Sequence, residues 1–317
     1  MDDSALTAVV ERSGTIVMND IPRDIPEPIK RVVRQECAFG CVLCGTPVFD
    51  YDHVIDFSLV NEHSADNIAL LCKPHHADKT AGRISRDEVA RGRKYPFNLN
   101  SDKTGSYQIY TGNEIDVWLG SNRFYGANQN FDMQAIWING TSYLTVHREG
   151  ARFTFSTTIC DASGNTILAV NRGELTIATG VWDYRFEGTL LSIRSGSGNI
   201  ELELDITSQS IKVLRGHFHG NYETSIVIRA GGDLNMLVSG LEIANMRDCS
   251  GEGHFVGVAL ARGSCISESA LPSSGGFLQF WNAEYELMAE KLRLDKLAGR
   301  PIPPNAIGIE NFRPYPR

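Results

Sequence analysis

Residues 67–80 read NIALLCKPHHADKT: an apolar run closed by a cysteine, a Cys-x-x-His step, and a second histidine beside the first. A two-residue spacer lets a tight turn aim both flanking side chains at one ion, so Cys72 and His75 form a ligand pair. Upstream, CVLC supplies Cys41 and Cys44 at the same spacing. Two such pairs close a tetrahedral shell, and Cys41, Cys44, Cys72 and His75 are therefore expected to hold a structural Zn²⁺. His76 is poorly placed to join them, because neighbouring side chains at a helix start diverge by about 100°. Cys37, four residues before Cys41, is read as a packed neighbour, since the shell is full without it.

The rest of the chain bounds this reading. Its 317 residues are 42% hydrophobic and 21% charged, values of a globular protein long enough for two domains with cores of their own. The net charge of -8 and pI of about 5.5 exclude a general positive coat for nucleic acid, though not a local basic groove. Four of the seven cysteines, Cys37, Cys41, Cys44 and Cys72, fall within 36 residues while Cys160, Cys249 and Cys265 are scattered, and MDDSALTAVVERSGTIV has no basic-then-apolar leader pattern, so metal is favoured over a disulfide framework. No apolar run approaches the roughly 18 residues of a membrane span. A cytoplasmic protein with no membrane partner is the expectation.

Three regions follow one another. Residues 1–20 are weakly patterned, an arm or a first strand. A polar, Cys- and His-rich region comes next. Pro26 and Pro28 open a helix with Ile29, Val32 and Val33 on one side, and Ser85 with Glu88 marks a capping box for another. NLNSDKTGS (98–106) is the linker candidate. From about 107 to 267, stretches such as RFTFSTTICDASGNTILAV and NIELELDI alternate apolar and polar residues between turn sequences. With no clean repeat period, a β-sandwich ranks above a β-solenoid. NAEYELMAEKLRLDKLAGRP predicts a C-terminal helix ended at Gly299 and Pro301, with Leu287, Leu292, Leu294 and Leu297 packing on the β region or a partner chain.

The 27 residues between the two ligand pairs hold the dipeptide Asp52-His53 after the strand-like VFDY, a polar loop, and Asn67 leading into IALLC. Over roughly residues 30–95 the chain resembles the HNH endonuclease family, in its zinc-knuckle branch. The resemblance is carried by CVLCG, DH, N…LLC and CKPHHADK in order. The chain departs from the family pattern in having His75 where a second cysteine is usual, which gives a Cys₃His knot.

The resemblance implies a small N-terminal ββα-metal domain (1–100, core 30–95) with structural zinc; joined to the alternating strands read above, it makes the expected chain α+β, with an all-β domain and the C-terminal helix following (107–317). It implies metal-dependent cleavage of DNA, double-stranded first. His53 would be the general base, Asp52 and His76 the ligands of one Mg²⁺ or Mn²⁺, and Asn67 a brace that aims His53. The chemistry is coherent, because a neutral imidazole can take a proton from water near pH 7 and a cation stabilises charge on phosphate. His63 is either a solvated loop residue or a substrate contact. Lys79, one helical turn past His76, is either solvated or turned to phosphate. Arg83, Arg86, Arg91 and Arg93, with Lys94, oppose only Asp87 and Glu88; they form either a solvated face or a backbone-phosphate surface.

The β region is expected to supply control or target choice, through an activating ligand, a partner or a homo-oligomer, and bacterial defence against foreign DNA fits such an architecture by analogy alone. Trp118, Trp137 and Trp182 are read as core. His217 and His219 alternate onto one strand face, but lack a third ligand nearby in the sequence. The competing reading is a non-catalytic zinc knuckle that binds nucleic acid or protein, fused to a β-rich ligand-binding domain.

Overall fold

The computed structural model describes residues 22–125, 132–150, 152–252, 256–262 and 277–281, together with 287, 290, 291, 294, 295 and 297–301. The arm expected over 1–20 lies outside these residues. The chain is mostly β, with few helices.

The N-terminal region is built from short pieces: α1 (Glu27–Glu36), β1 (Asp50–His53), α2 (Phe57–Val60), β2 (Ile68–Leu71), α3 (Lys73–Thr80) and α4 (Arg86–Lys94). Pro26 precedes α1, and the Ser85 hydroxyl caps α4 by accepting the Glu88 N–H at 3.1 Å. On α1, Val33 is buried but Val32 is exposed, so the expected apolar face is narrower than drawn; buried Arg34 occupies the remainder. β1 and β2 form an antiparallel pair, Asp50 opposite Leu71 and His53 opposite Ile68. A core of Val33, Val42, Ile68, Leu70, Leu71 and Val89 lies beneath them.

The strands that follow are β3 (Tyr107–Gln108), β4 (Asp116–Leu119), β5 (Asn122–Tyr125), β6 (Met133–Ile138), β7 (Thr141–Glu149), β8 (Arg152–Cys160), β9 (Thr166–Asn171) and β10 (Glu174–Ile177). After them come β11 (Asp183–Glu187), β12 (Leu190–Gly196), β13 (Asn199–Ile206), β14 (Ser210–His219), β15 (Thr224–Ile228), β16 (Leu234–Val238), β17 (Leu241–Met246), β18 (Ser250–Glu252), β19 (Val256–Arg262) and β20 (Phe277–Trp281). One sheet runs β20-β19-β6-β7-β8-β9-β10-β3 and the other β11 through β17 in order, with β4, β5 and β18 attached alongside β14. Their inner residues, among them Ile136, Val146, Phe155, Leu204, Val213 and Phe218, share one apolar core. The two layers are sandwiched, β8 against β13 and β14, and β15 against β6 and β19.

The two regions are not tethered by a free linker. Asn98, within the linker expected over 98–106, is buried and donates to the carbonyls of Ala38 and Gly45. Thr104 is buried too, its N–H bonded to Ile177. Gly45 has φ +76, and a Cβ there would collide with the Asn98 side chain, so the close approach requires glycine. Phe39, in the turn between Cys37 and Cys41, inserts into the sandwich core. A polar, turn-prone stretch thus serves as a strap, because its side chains satisfy buried backbone groups.

Arg34 completes the junction. Its guanidinium is fully buried and meets Asp183 of β11 through two bonds, 2.7 and 2.9 Å, with Glu27 at 2.7 Å and the Tyr51 hydroxyl at 2.5 Å. Trp182 lies under the Arg31 guanidinium at 4.5 Å, and its carbonyl accepts from Gln35. Trp182 and Trp118 are half-buried rather than core, and Trp137 is buried in a small separate cluster with Val256, Ala259 and Ala261. In the C-terminal stretch, residues 287, 290, 291, 294, 295 and 297 are helical. Leu287, Leu294 and Leu297 are exposed instead of packed on the sandwich; Leu292 lies outside the described residues.

Candidate metal centre

Cys41 and Cys44 lie in the turn before β1. Cys72 stands at the start of α3 and His75 in its first turn. One ligand atom from each falls within 4.8 Å of the others. Cys44 Sγ is 3.8 Å from Cys72 Sγ, and His75 Nδ1 is 3.3 Å from both Cys41 Sγ and Cys72 Sγ. Tetrahedral zinc would separate its ligands by about 3.8 Å (S to S) and about 3.5 Å (S to N). The four residues form a group that could hold a metal such as zinc. The thiols also compete for charge: a hydrogen bond from Cys44 pulls Cys41 down to about 4, while the Cys41 thiolate pushes Cys44 up and burial raises Cys72. Three neighbouring thiols cannot all ionise without a cation among them. Cys37 is apart from this group, buried in the small core with its thiol pushed up to about 11 by burial.

His76, the next residue on α3, turns the other way. Its Nε2 lies 3.5 Å from Asp52 Oδ1 and its Nδ1 3.6 Å from Asp50 Oδ2. Asp50 went unnoticed in the sequence, although residues two apart on a strand share a face and DYDH carried that signal. The second oxygen of Asp52 is 2.6 Å from Lys79 Nζ, which also donates to the His53 carbonyl. The Lys79 side chain is only 9% exposed and supports the end of β1 from α3.

His53 ends β1. Its Nε2 is 3.2 Å from His63 Nδ1, and His63 Nε2 is 2.8 Å from the Pro22 carbonyl. Phe57 stacks on the His63 ring at 4.7 Å. Burial, with His63 second, holds the His53 imidazole below its ordinary range, so the neutral form prevails near pH 7. His63 is therefore a partner of His53 rather than a free loop residue. Asn67 grips Ile55 from both sides, accepting its N–H at 2.8 Å and donating to its carbonyl at 3.0 Å. This fixes the chain two residues beyond His53.

The basic residues divide. Arg93 is turned inward, bonding the carbonyls of Ile68 and Ala65 and pairing with Glu36, so it ties α4 to its neighbours and is not part of an outer phosphate surface. Arg83, Arg86 and Arg91 are exposed, yet each pairs with a carboxylate, Asp78, Asp56 and Glu88 respectively. In the sandwich, His147 lies in line between Asp132 (2.7 Å) and Ser156 (2.8 Å), and the Ser156 hydroxyl accepts the Arg172 N–H, a brace across β7 and β8. No helix among the described residues is long and apolar enough to cross a membrane.

No family model matches this sequence, and neither a curated protein nor a solved structure shows significant similarity to it.

Proposed function

We propose that the chain is a metal-dependent DNA endonuclease of the HNH type, its N-terminal region a ββα-metal unit. One observation carries the reading: adjacent residues of α3 serve different groups, His75 the three cysteines and His76 the carboxylates of β1. The 3.5 Å between Asp52 Oδ1 and His76 Nε2 lets both reach one divalent ion, Mg²⁺ or Mn²⁺, and Asp50 stands close enough to orient His76 or join it. Such an ion, when bound, supplies charge stabilisation to the phosphate. His53 accepts a proton from water as the water oxygen bonds to phosphorus and the ester P–O bond breaks. Asn67 holds the Ile55 backbone, and His63 holds the ring from the side.

Support for the competing reading, a non-catalytic zinc knuckle, comes from Lys79, which already neutralises one oxygen of Asp52. The two separate on supercoiled plasmid incubated with Mg²⁺ or Mn²⁺, with and without EDTA, beside His53→Ala. The nuclease reading expects metal-dependent relaxation that EDTA and His53→Ala both abolish. Cleavage retained by His53→Ala would remove the base assignment, and no cleavage with either metal would favour the binding module.

A further inference from the structure

A second group of metal-type donors forms on the sandwich, between β13 and β14. The antiparallel register that sets Leu202 opposite Gly216 brings Glu201 beside His217. Leu202 and Phe218 point into the core, so Glu201 and His217 point away from it, and His219, two residues on, returns to their face. The two imidazole rings lie 3.6 Å apart between centroids. One ligand atom from each of Glu201, His217 and His219 falls within 4.8 Å of the others. The third ligand missing from the local sequence thus comes from the neighbouring strand.

The surroundings mark a built site. Glu201 is 8% exposed, and its Oε1 accepts a 2.5 Å hydrogen bond from Ser195 of β12. Its other oxygen is left facing His219, with Nε2 3.8 Å away. That nitrogen is enclosed and makes no hydrogen bond. A buried polar atom left in this state is unfavourable unless something answers it. The 3.8 Å separation is too long for a hydrogen bond. It is close to the roughly 3.3 Å between two N/O ligands of a tetrahedral ion, so a small side-chain shift would close it.

We propose that Glu201, His217 and His219 bind a divalent ion of the zinc class, leaving at least one position for water or a further ligand. Two imidazoles and one carboxylate suit such borderline ions, whereas Mg²⁺ and Ca²⁺ favour all-oxygen shells. Ser195 is a positioning residue that fixes Glu201 from outside the shell. This site is independent of the nuclease reading and gives the β region its own ligand chemistry.

The test uses Co²⁺ as probe on the full chain carrying His76→Ala, which removes the histidine beside Asp52, with zinc already in the Cys₃His knot. Visible spectra and elemental analysis are expected to show one further equivalent of Co²⁺ with weak ligand-field bands and no thiolate charge transfer. Adding His219→Ala or Glu201→Gln is expected to weaken that binding more than tenfold while knot zinc and near-UV circular dichroism stay unchanged. Should Glu201→Gln lose its fold, His219→Gln carries the same comparison. Failure to take up the extra cobalt, uptake with thiolate charge transfer, or uptake unaffected by these substitutions would each overturn the proposal.

Discussion

Asp183→Asn probes the junction between the two regions with almost no change in volume. Asp183 is 1% exposed and receives two bonds from Arg34, with Arg31 and Arg185 guanidinium nitrogens at 3.6 and 3.7 Å. The cluster holds three guanidinium cations against Asp183 and Glu27, so losing one carboxylate charge leaves three positive groups against a single negative one. Breaking a buried pair by removing one partner costs about 3–5 kcal/mol, against 0–1 kcal/mol for an exposed pair. We expect a loss of about 4 kcal/mol in urea unfolding, which lowers the midpoint by more than 1 M for a slope of about 3 kcal/mol/M. Arg34→Met and the double variant complete a mutant cycle, with a coupling of at least about 2 kcal/mol. Zinc content should stay constant, since no knot ligand is altered. A coupling of about 0.5 kcal/mol or less would refute the reasoning, because the junction would then behave like a surface ion pair.

Three further outcomes follow from the same geometry. Cys72→Ser is expected to lose zinc and unfold the N-terminal region, whereas His76→Ala keeps its zinc and fold and loses plasmid cleavage; equal behaviour in elemental analysis and circular dichroism would contradict the division between them. Asn67→Ala removes both bonds to Ile55 and should cost about 1–3 kcal/mol with cleavage reduced, read by urea unfolding beside a plasmid assay. Arg93→Ala should lower stability by about 2 kcal/mol through its lost carbonyl bonds, while Arg91→Ala stays within about 0.5 kcal/mol and instead tests whether the exposed arginines set the salt dependence of DNA affinity.

What the sequence disclosed, and what it withheld, divides by range. Cys41, Cys44, Cys72 and His75 were legible because two-residue spacers encode local ligand geometry, and alternation announced the β region. The capping of α4 by Ser85 was legible for the same reason. Partners set by the tertiary fold were not. Nothing local tells that Arg34 seeks Asp183 on β11, or that Glu201 lies beside His217 in the β13–β14 register. Composition misled over the strap, where polar side chains usually mean a loose connection but here satisfy buried carbonyls. Nor does it tell that the long stems of Lys79 and Arg93 carry their charges inward to a carboxylate or carbonyl.

The adjacent histidines of α3 couple the proposed chemistry to the metal knot. Cys72 opens the helix, His75 points to the cysteines, and the His76 N–H bonds the Cys72 carbonyl. Any ion that fixes Cys72 and His75 thereby fixes the first turn of α3, and with it the direction of His76 towards Asp50 and Asp52. Lys79, one turn on, holds the same helix to Asp52 and to the His53 carbonyl. The far side of β1 is held by Tyr51, bonded to Arg34 and through it to the sandwich. A four-residue strand with no fully buried side chain cannot hold the proposed geometry by its own packing. It is held instead from two sides, by a helix seated on the knot and by a buried ion pair anchored in the β region. The Tyr51–Arg34–Asp183 contact thereby joins β1 to the sandwich.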